Sequence, residues 1–108
     1  MNYKRYAINL LRKNKNIEFH AHAEDQAKVR NISLDYIRDK LEKGDIIEAF
    51  PNPYPRTRQF GRVKSFIIRI PKSSKYEIEL VAYLLEDKTL IATVYKYNIR
   101  WKKWVHYK

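Results

Sequence analysis

Cysteine is absent from the chain, which excludes disulfide frameworks, thiol catalysis and thiolate metal sites. Glycine and proline are scarce, with 2 and 4 residues among 108, while 44% of the residues are apolar. Such a chain can bury enough apolar surface to offset the entropy cost of folding. It has no apolar run long enough to span a bilayer, and its start, Met-Asn-Tyr-Lys-Arg-Tyr, lacks the apolar segment of a secretion signal. We therefore expect one small, soluble domain that resides in the cytoplasm, since 108 residues leave no room for a second domain.

Acidic residues are also scarce, because 12 Asp and Glu stand against 23 Lys and Arg, which gives a net charge of +11. Residues 1–16 carry five basic side chains and residues 98–108 carry four, in both cases without an acid. Seven further cations lie between Glu48 and Glu77 with no carboxylate among them. Positive charge that is clustered in this way indicates a protein with one surface that binds phosphates. Evenly dispersed charge would give solubility without a focused electrostatic potential. A Lys-rich surface that serves only solubility is the alternative interpretation.

The first half of the chain has the apolar spacing of helices. Residues 3–13 fit a short amphipathic helix whose apolar side holds Tyr6 and Leu10, with Ile8 and Leu11 as further candidates, and a loose basic arm fits them equally. In the segment Ala21–Arg30 the acidic residues come first and the basic residues last, which is the order that a helix dipole prefers. We therefore predict a helix there. The next helix is indicated most strongly, since Ser33 is a good N-cap and Gly44 a good terminator. Its core-facing stripe consists of Leu34, Ile37 and Leu41.

Beyond Gly44 the pattern changes to that of β-strands. Strands are predicted at residues 46–50, within 58–70, over 76–85 and over 89–97, with a hairpin turn at residues 85–88. This order indicates an α+β fold in which two or three N-terminal helices pack on a four-stranded antiparallel β-sheet. We divide the chain into a basic N-terminal helix or arm (1–16), a core domain (17–101) and a basic aromatic tail (102–108).

Three segments of the chain carry a resemblance to a known family. They are residues 22–33 (His-Ala-Glu-Asp-Gln-Ala-Lys-Val-Arg-Asn-Ile-Ser), residues 44–51 (Gly-Asp-Ile-Ile-Glu-Ala-Phe-Pro), and Thr93-Val94-Tyr95 with Trp101. In this order they resemble the opening helix, the helix-ending Gly with the first strand, and the closing strand of the domain of unknown function 4258 family. The likeness covers about residues 17–101. Gln26 stands where that family usually has a basic residue, and Gly61-Arg62 matches its later Gly/Arg region loosely.

This resemblance implies a compact fold of the kind shared by small metal-independent ribonucleases and bacterial toxins such as those of the RelE type. Many members of the family look like toxin modules or proteins of mobile elements. The resemblance thus implies a toxin-type endoribonuclease that uses no cofactor and acts on RNA in preference to DNA. An acidic, antitoxin-like protein is a further expected partner, and no membrane is expected to be one.

RNA cleavage without a metal requires a base for the 2′-hydroxyl proton, an acid for the leaving oxygen and cations for the charged phosphorane. His22, Gln26 and Arg30 are spaced by four residues, so they would share one face of the predicted helix. Histidine can serve as acid or base near neutral pH, and arginine can clamp a phosphate through two hydrogen bonds. We therefore predict a catalytic site on this helix face.

The roles in this predicted site follow from the same chemistry. His22 would act as general acid or base, Arg30 and Arg62 would hold the scissile phosphate, and Thr93 and Tyr95 would orient the substrate. Structural interpretations remain open for all five residues. His22 would then cap the helix or satisfy a buried hydrogen bond, Arg30 would pair with Glu24 or an acid of the next helix, and Thr93 would be an ordinary strand residue.

Further cations are expected to contact the nucleic acid outside the catalytic site. The tail interleaves aromatic and basic residues, a mixture suited to stacking on unpaired bases while neutralising phosphates. Packing of Trp101 onto the sheet is the competing interpretation. The predicted contacts are Arg56, Arg58, Lys64, Arg69, Lys102, Lys103 and Trp104.

His20 and His22, with Glu24 and Asp25 nearby, could form part of a divalent metal site. A third well-spaced ligand is missing, so no metal is expected. Two alternatives to the nuclease stay open: a non-catalytic RNA- or DNA-binding protein of a virus or plasmid, and an interaction factor whose basic surface meets an acidic protein.

Overall fold

A computed structural model of the chain describes residues 2–13, 16–53 and 65–99. Within these ranges the fold is α+β, as predicted, and has three helices and five strands. The elements in chain order are α1 (Tyr3–Lys13), β1 (Ile17–Phe19), α2 (Ala21–Val29), α3 (Leu34–Lys43), β2 (Glu48–Pro51), β3 (Ser65–Pro71), β4 (Tyr76–Leu84) and β5 (Thr89–Asn98). None of the helices in these ranges is long and apolar enough to cross a membrane.

The strands form one mixed sheet in the order β1-β5-β4-β3-β2. Strands β2 to β5 pair antiparallel, as the sequence predicts. The prediction of four antiparallel strands was nevertheless wrong, because β1 adds a fifth strand that runs parallel to β5, with Ile17 opposite Thr89 and Phe19 opposite Ile91. A strand of three residues is too short to show the alternation by which strands are recognised, and its partner lies about 70 residues further along the chain.

Helix α3 begins and ends where its sequence predicts. The hydroxyl of Ser33 accepts a hydrogen bond from the backbone N–H of Tyr36 at 3.2 Å, which caps the first turn. Gly44 ends the helix with a φ of +69°. This backbone conformation is sterically strained for residues with a Cβ but not for glycine. Between these caps, Ile37 and Leu41 are fully buried.

Helix α2 is capped by the histidine that precedes it. Nδ1 of His20 accepts a hydrogen bond from the backbone N–H of His22 at 3.1 Å. At the other end, the backbone N–H of Arg30 donates to the carbonyl of Gln26, and Asn31 takes a φ of +54°. Asparagine tolerates this left-handed conformation better than most residues, so Asn31 suits the end of the helix.

Residues 3–13 form a helix and not a loose arm. Ala7 and Leu11 of α1 are fully buried and belong to the same core as α3 and the sheet. Leu11 was a candidate for the predicted apolar side and is buried, but the side is displaced by one position at Tyr6, which remains 43% exposed and lies against the ring of Phe66. Alanine at position 7 lets the helix backbone approach the sheet closely, whereas a tyrosine there would hold it away.

The helices share one core with one face of the sheet. This core is almost entirely aliphatic, and the helices contribute Ala23 and Ala27 of α2 besides the residues named above. The sheet contributes Ile68, Ile70, Ile78, Leu80, Ile91 and Val94, all of them fully buried. Helix α2 packs on β5 and helix α1 packs on β2, so these two helices lie toward opposite ends of the helix layer.

We predict that Gly44→Ala lowers the free energy of unfolding by about 1–2 kcal/mol, because alanine is strained at this positive φ. A Cβ at Gly44 would also lie 3.1 Å from Cγ2 of Ile8, so α1 would have to shift. Urea denaturation followed by circular dichroism measures the loss. Asn31→Gly is the control, because glycine accepts the left-handed conformation there and should change the stability by less than about 0.5 kcal/mol. Equal stability of Gly44→Ala and the unsubstituted protein would contradict the described contact between α1 and the end of α3.

Candidate functional site

Helix α2 completes the edge of the sheet where β1 stops. Strand β1 covers the edge of β5 only as far as Phe19, which is paired with Ile91. The chain then turns at His20, whose backbone N–H donates to the carbonyl of Ile91 at 2.9 Å, and enters α2. Further along the same edge, Oε1 of Gln26 accepts a hydrogen bond from the backbone N–H of Val94 at 2.8 Å. The glutamine thus satisfies a strand donor that a longer β1 would otherwise have met.

Strand β5 carries a β-bulge between Ile91 and Thr93, where its register with β4 shifts. Beyond the bulge, Val94 is fully buried in the core. Thr93 and Tyr95 flank Val94 and therefore lie on the opposite face of the strand. Bulges of this kind redirect side chains near functional sites, and here two polar side chains come to lie beside the α2 edge.

Arg30 reaches around this edge and lies over the ring of Tyr95, with 5.1 Å between the guanidinium carbon and the ring centroid. Its Nη1 approaches the carbonyl oxygen of Gln26 to 3.5 Å, so the side chain is turned back toward the start of α2. Tyr95 is 41% exposed. The alternative interpretation, in which Arg30 pairs with Glu24 or an acid of α3, is not observed, and among the described residues no carboxylate forms an ion pair with this guanidinium.

His22 is exposed on the first turn of α2, and its side chain forms no hydrogen bond within the described ranges. The capping role proposed for it belongs instead to His20. Eight residues separate His22 from Arg30, a rise of about 12 Å along the helix. The Arg30 side chain turns back toward the Gln26 carbonyl, in the direction of His22.

Across the sheet, the face that carries Tyr95 bears a row of paired charges. In the order of the strands, Glu48 stands opposite Arg69, Arg69 opposite Glu79, and Glu79 opposite Tyr95, over which Arg30 lies. Cross-strand partners share a face, so this row is continuous from β2 to α2. It contains two arginines in different surroundings.

Arg69 is 7% exposed and is held by carboxylates on both sides. Its guanidinium donates to Glu48 and, at 3.0 and 3.1 Å, to Glu79, and it lies between the rings of Phe50 and Tyr97. Burial acts to lower the pKa of Arg69, but the hydrogen bonds from the two carboxylates outweigh burial and raise it, so the charge persists. The surroundings of Arg69 do not support its predicted contact with nucleic acid, because its charge is already neutralised and hardly accessible. We assign it to stabilising the sheet.

Several predicted contacts lie outside the described residues. They are Arg62 of the catalytic set, and Arg56, Arg58, Lys64, Lys102, Lys103 and Trp104 of the binding set. The described part of the site therefore consists of five residues, two on α2, one at its C-terminal cap and two on β5. They are His22, Gln26, Arg30, Thr93 and Tyr95. In the described ranges no group of three or more His, Asp or Glu could hold a metal ion.

The region that contains this edge matches a family model. The model is described as a domain of unknown function (DUF4258), and it matches residues 19–96, more than half of the chain. This chain belongs to the DUF4258 family. The match runs from the end of β1 into β5 and so includes α2 and its contact with β5, whereas α1 precedes it. Comparison of this DUF4258 protein with curated proteins and with solved structures found no match to either.

We predict that Gln26→Ala in this DUF4258 protein exposes the Val94 amide and lowers the free energy of unfolding by about 1–2 kcal/mol, the cost of an unsatisfied donor. Hydrogen exchange followed by NMR should show faster exchange of the Val94 amide. Gln26→Glu is the matched control, because it retains an acceptor at the same position and should preserve protection of that amide. If the Val94 amide stays equally protected in Gln26→Ala, the described docking of α2 on β5 is incorrect.

Proposed function

We propose that this protein binds nucleic acid, RNA in preference to DNA, through the α2–β5 edge, by which we mean the surface of His22, Gln26, Arg30, Thr93 and Tyr95. The observation that carries the proposal is the stacked pair of Arg30 and Tyr95, which presents a cation without a carboxylate partner in the described residues next to an exposed aromatic ring. A guanidinium of this kind can bind a phosphate through two hydrogen bonds, and the ring can stack on an unpaired base.

The two arginines of the cross-sheet row support this proposal by their contrast. Arg69 has the environment of a structural arginine, since it is buried between two glutamates. Arg30 ends the same row at the sheet edge and forms no ion pair with a described acid. An arginine whose charge served only the fold would gain from a carboxylate partner such as those of Arg69. The charge at the edge is thus available to an external anion.

The acids of α2 leave this surface largely open to an anion. At 3.6 residues per turn, Glu24 projects about 120° around the helix from Arg30, and only about 40° from Lys28. Glu24 and Lys28 therefore lie together on a different side of α2. Of the two acids of α2, Asp25 lies closer to the proposed surface, at about 60° around the helix axis from His22.

We further propose that the activity is metal-independent endoribonuclease chemistry of the toxin type, with His22 as general acid or base. His22 is exposed, and the Arg30 side chain turns back toward the start of α2, which favours contact of both with one bound RNA strand. Arg30 would stabilise the negative charge of the phosphorane, and Thr93 and Tyr95 would position the nucleotide. Arg62 is proposed as a second phosphate ligand on the strength of the family resemblance.

A non-catalytic nucleic-acid-binding protein is the second candidate, and one observation favours it. The side-chain oxygen of Gln26, between His22 and Arg30, accepts a hydrogen bond from Val94 and is therefore committed to the fold. In the described part of this surface His22 is then the one imidazole, the side chain that most often serves as general acid or base. Cleavage normally needs both an acid and a base, so a surface with one such group supports binding more directly than catalysis.

For binding, we predict that Arg30→Ala weakens affinity for single-stranded RNA and makes the slope of log K against log salt shallower by about 0.7, the contribution of one phosphate contact on a single strand. Fluorescence anisotropy at several salt concentrations measures both changes. Lys43→Ala is the control, since it removes one positive charge at an exposed site where Lys43 pairs with Asp39. Equal salt slopes for Arg30→Ala and the unsubstituted protein would exclude a phosphate contact at Arg30.

For catalysis, we predict RNA cleavage that persists in EDTA and falls by about 10²-fold or more in His22→Ala, as expected when a general acid or base is removed. Gel analysis of a labelled RNA measures the rate. Lys28→Ala, on another side of α2, is the control and should cleave normally. Binding without cleavage by the unsubstituted protein would favour the second candidate, and cleavage unaffected by His22→Ala would exclude the assigned role of His22.

A further inference from the structure

Helix α1 carries a second cationic surface, at a distance from the α2–β5 edge. Its side chains line an open surface groove of about 340 Å³. The lining residues are Asn2, Lys4, Arg5, Ile8, Asn9 and Arg12. Four of them, at positions 2, 5, 9 and 12, are spaced by three or four residues and so follow one side of the helix over about 15 Å. We call this surface the α1 groove.

The cations of the α1 groove form no ion pair within their own helix or with the other described residues. Helix α1 contains no acid, and within the described ranges neither Lys4, Arg5 nor Arg12 forms an ion pair. On neighbouring α3, by contrast, Lys43 pairs with Asp39 at 3.1 Å. Three cations that remain without acids beside a helix rich in acid–base pairs produce a local positive potential.

The α1 groove is too far from Arg30 to belong to the same contact. Helix α1 packs on β2 and α2 packs on β5, and two strands lie between them in the sheet. Three strand spacings amount to about 14 Å along the sheet. The separation is larger than this, because the guanidinium of Arg30 lies over Tyr95 on the face opposite the helices. A phosphate held by Arg30 therefore cannot touch Arg5 or Arg12, but a longer strand that passes around the α2–β5 edge can reach both surfaces.

We propose that the α1 groove is a second phosphate-binding surface, which contacts the sugar-phosphate backbone of a nucleic-acid strand whose other part lies on the α2–β5 edge. This inference rests on the proposed function and extends it to the length of substrate that the protein engages. The groove would add affinity without base recognition, because its groups are those that contact phosphates in protein–nucleic acid complexes.

The composition of the groove favours phosphate over an acidic protein. Its lining holds arginine, lysine and asparagine, and Ile8 is its single apolar side chain. Centres of protein–protein interfaces are rich in aromatic residues and poor in lysine, and the lining contains no aromatic ring. Arginine, lysine and asparagine are all common ligands of the phosphate backbone.

The test compares the double variant Arg5→Ala/Arg12→Ala with a control, Lys72→Ala/Lys75→Ala, that removes the same charge from exposed positions between β3 and β4. Each is titrated with a single-stranded 15-mer RNA, which is long enough to reach both surfaces, and with a trinucleotide, about 10 Å long when stacked. We expect the Arg5/Arg12 variant to bind the 15-mer roughly tenfold or more weakly, with a salt slope shallower by about 1.4, and to bind the trinucleotide normally. Circular dichroism checks that both variants fold.

Three results would overturn the proposal. The first is unchanged binding of the 15-mer by the Arg5/Arg12 variant, and the second is an equal loss in the Lys72/Lys75 control, which would show a general effect of charge. The third is displacement of the 15-mer by a polyglutamate peptide from the unsubstituted protein but not from the Arg5/Arg12 variant, which would assign the groove to an acidic protein. Failure of the proposed function is recognised separately, since Arg30→Ala would then leave trinucleotide binding unchanged.

Discussion

The hydrogen bond from the Val94 amide to the side chain of Gln26 is the interaction on which the architecture of the site depends. Strand β1 pairs with only the first residues of β5, and the edge beyond it carries amides that must find acceptors. Helix α2 supplies one acceptor and thereby lies along the edge as well as on the core. Because the helix is fixed there, Arg30 can pass around the edge and reach Tyr95 on the other face of the sheet.

The row from Glu48 to Arg30 shows how the sheet distributes its charge. In the middle of the sheet, one arginine is neutralised by two glutamates and enclosed by aromatic rings, an arrangement that resists exchange with solvent or ligands. At the edge, Arg30 has an aromatic ring in place of carboxylate partners. Cation–π contact holds the guanidinium in place without cancelling its charge, which leaves it able to attract a phosphate. The proposed function rests on this difference between Arg69 and Arg30.

Local signals in the sequence were sufficient for some features and not for others. Both ends of α3 were predicted because a Ser N-cap and a terminating Gly act on their own helix turns. The family was also recognisable from short ordered segments. Strand β1 was missed because its identity comes from a partner about 70 residues away, and the burial side of α1 was misplaced by one residue because the sheet favours the close approach that Ala7 permits.

The functional assignments show the same division. The helix that carries His22 and Gln26 and ends at Arg30 was predicted, because its signals are local in the sequence. The separate roles of Arg30 and Arg69 were not predictable, because they depend on the register of β2, β3, β4 and β5. Gln26 looked like the replacement of a functional cation, and only its partner Val94 reveals a structural role.

The central claim, that nucleic acid binds at the α2–β5 edge beside Arg30 and Tyr95, is tested most directly by NMR of the labelled protein during titration with a short single-stranded RNA. The account predicts that the amide signals of residues 22–30 and 93–95 shift together and saturate at one RNA concentration. Saturable shifts elsewhere in the protein, with these signals unchanged, would contradict it.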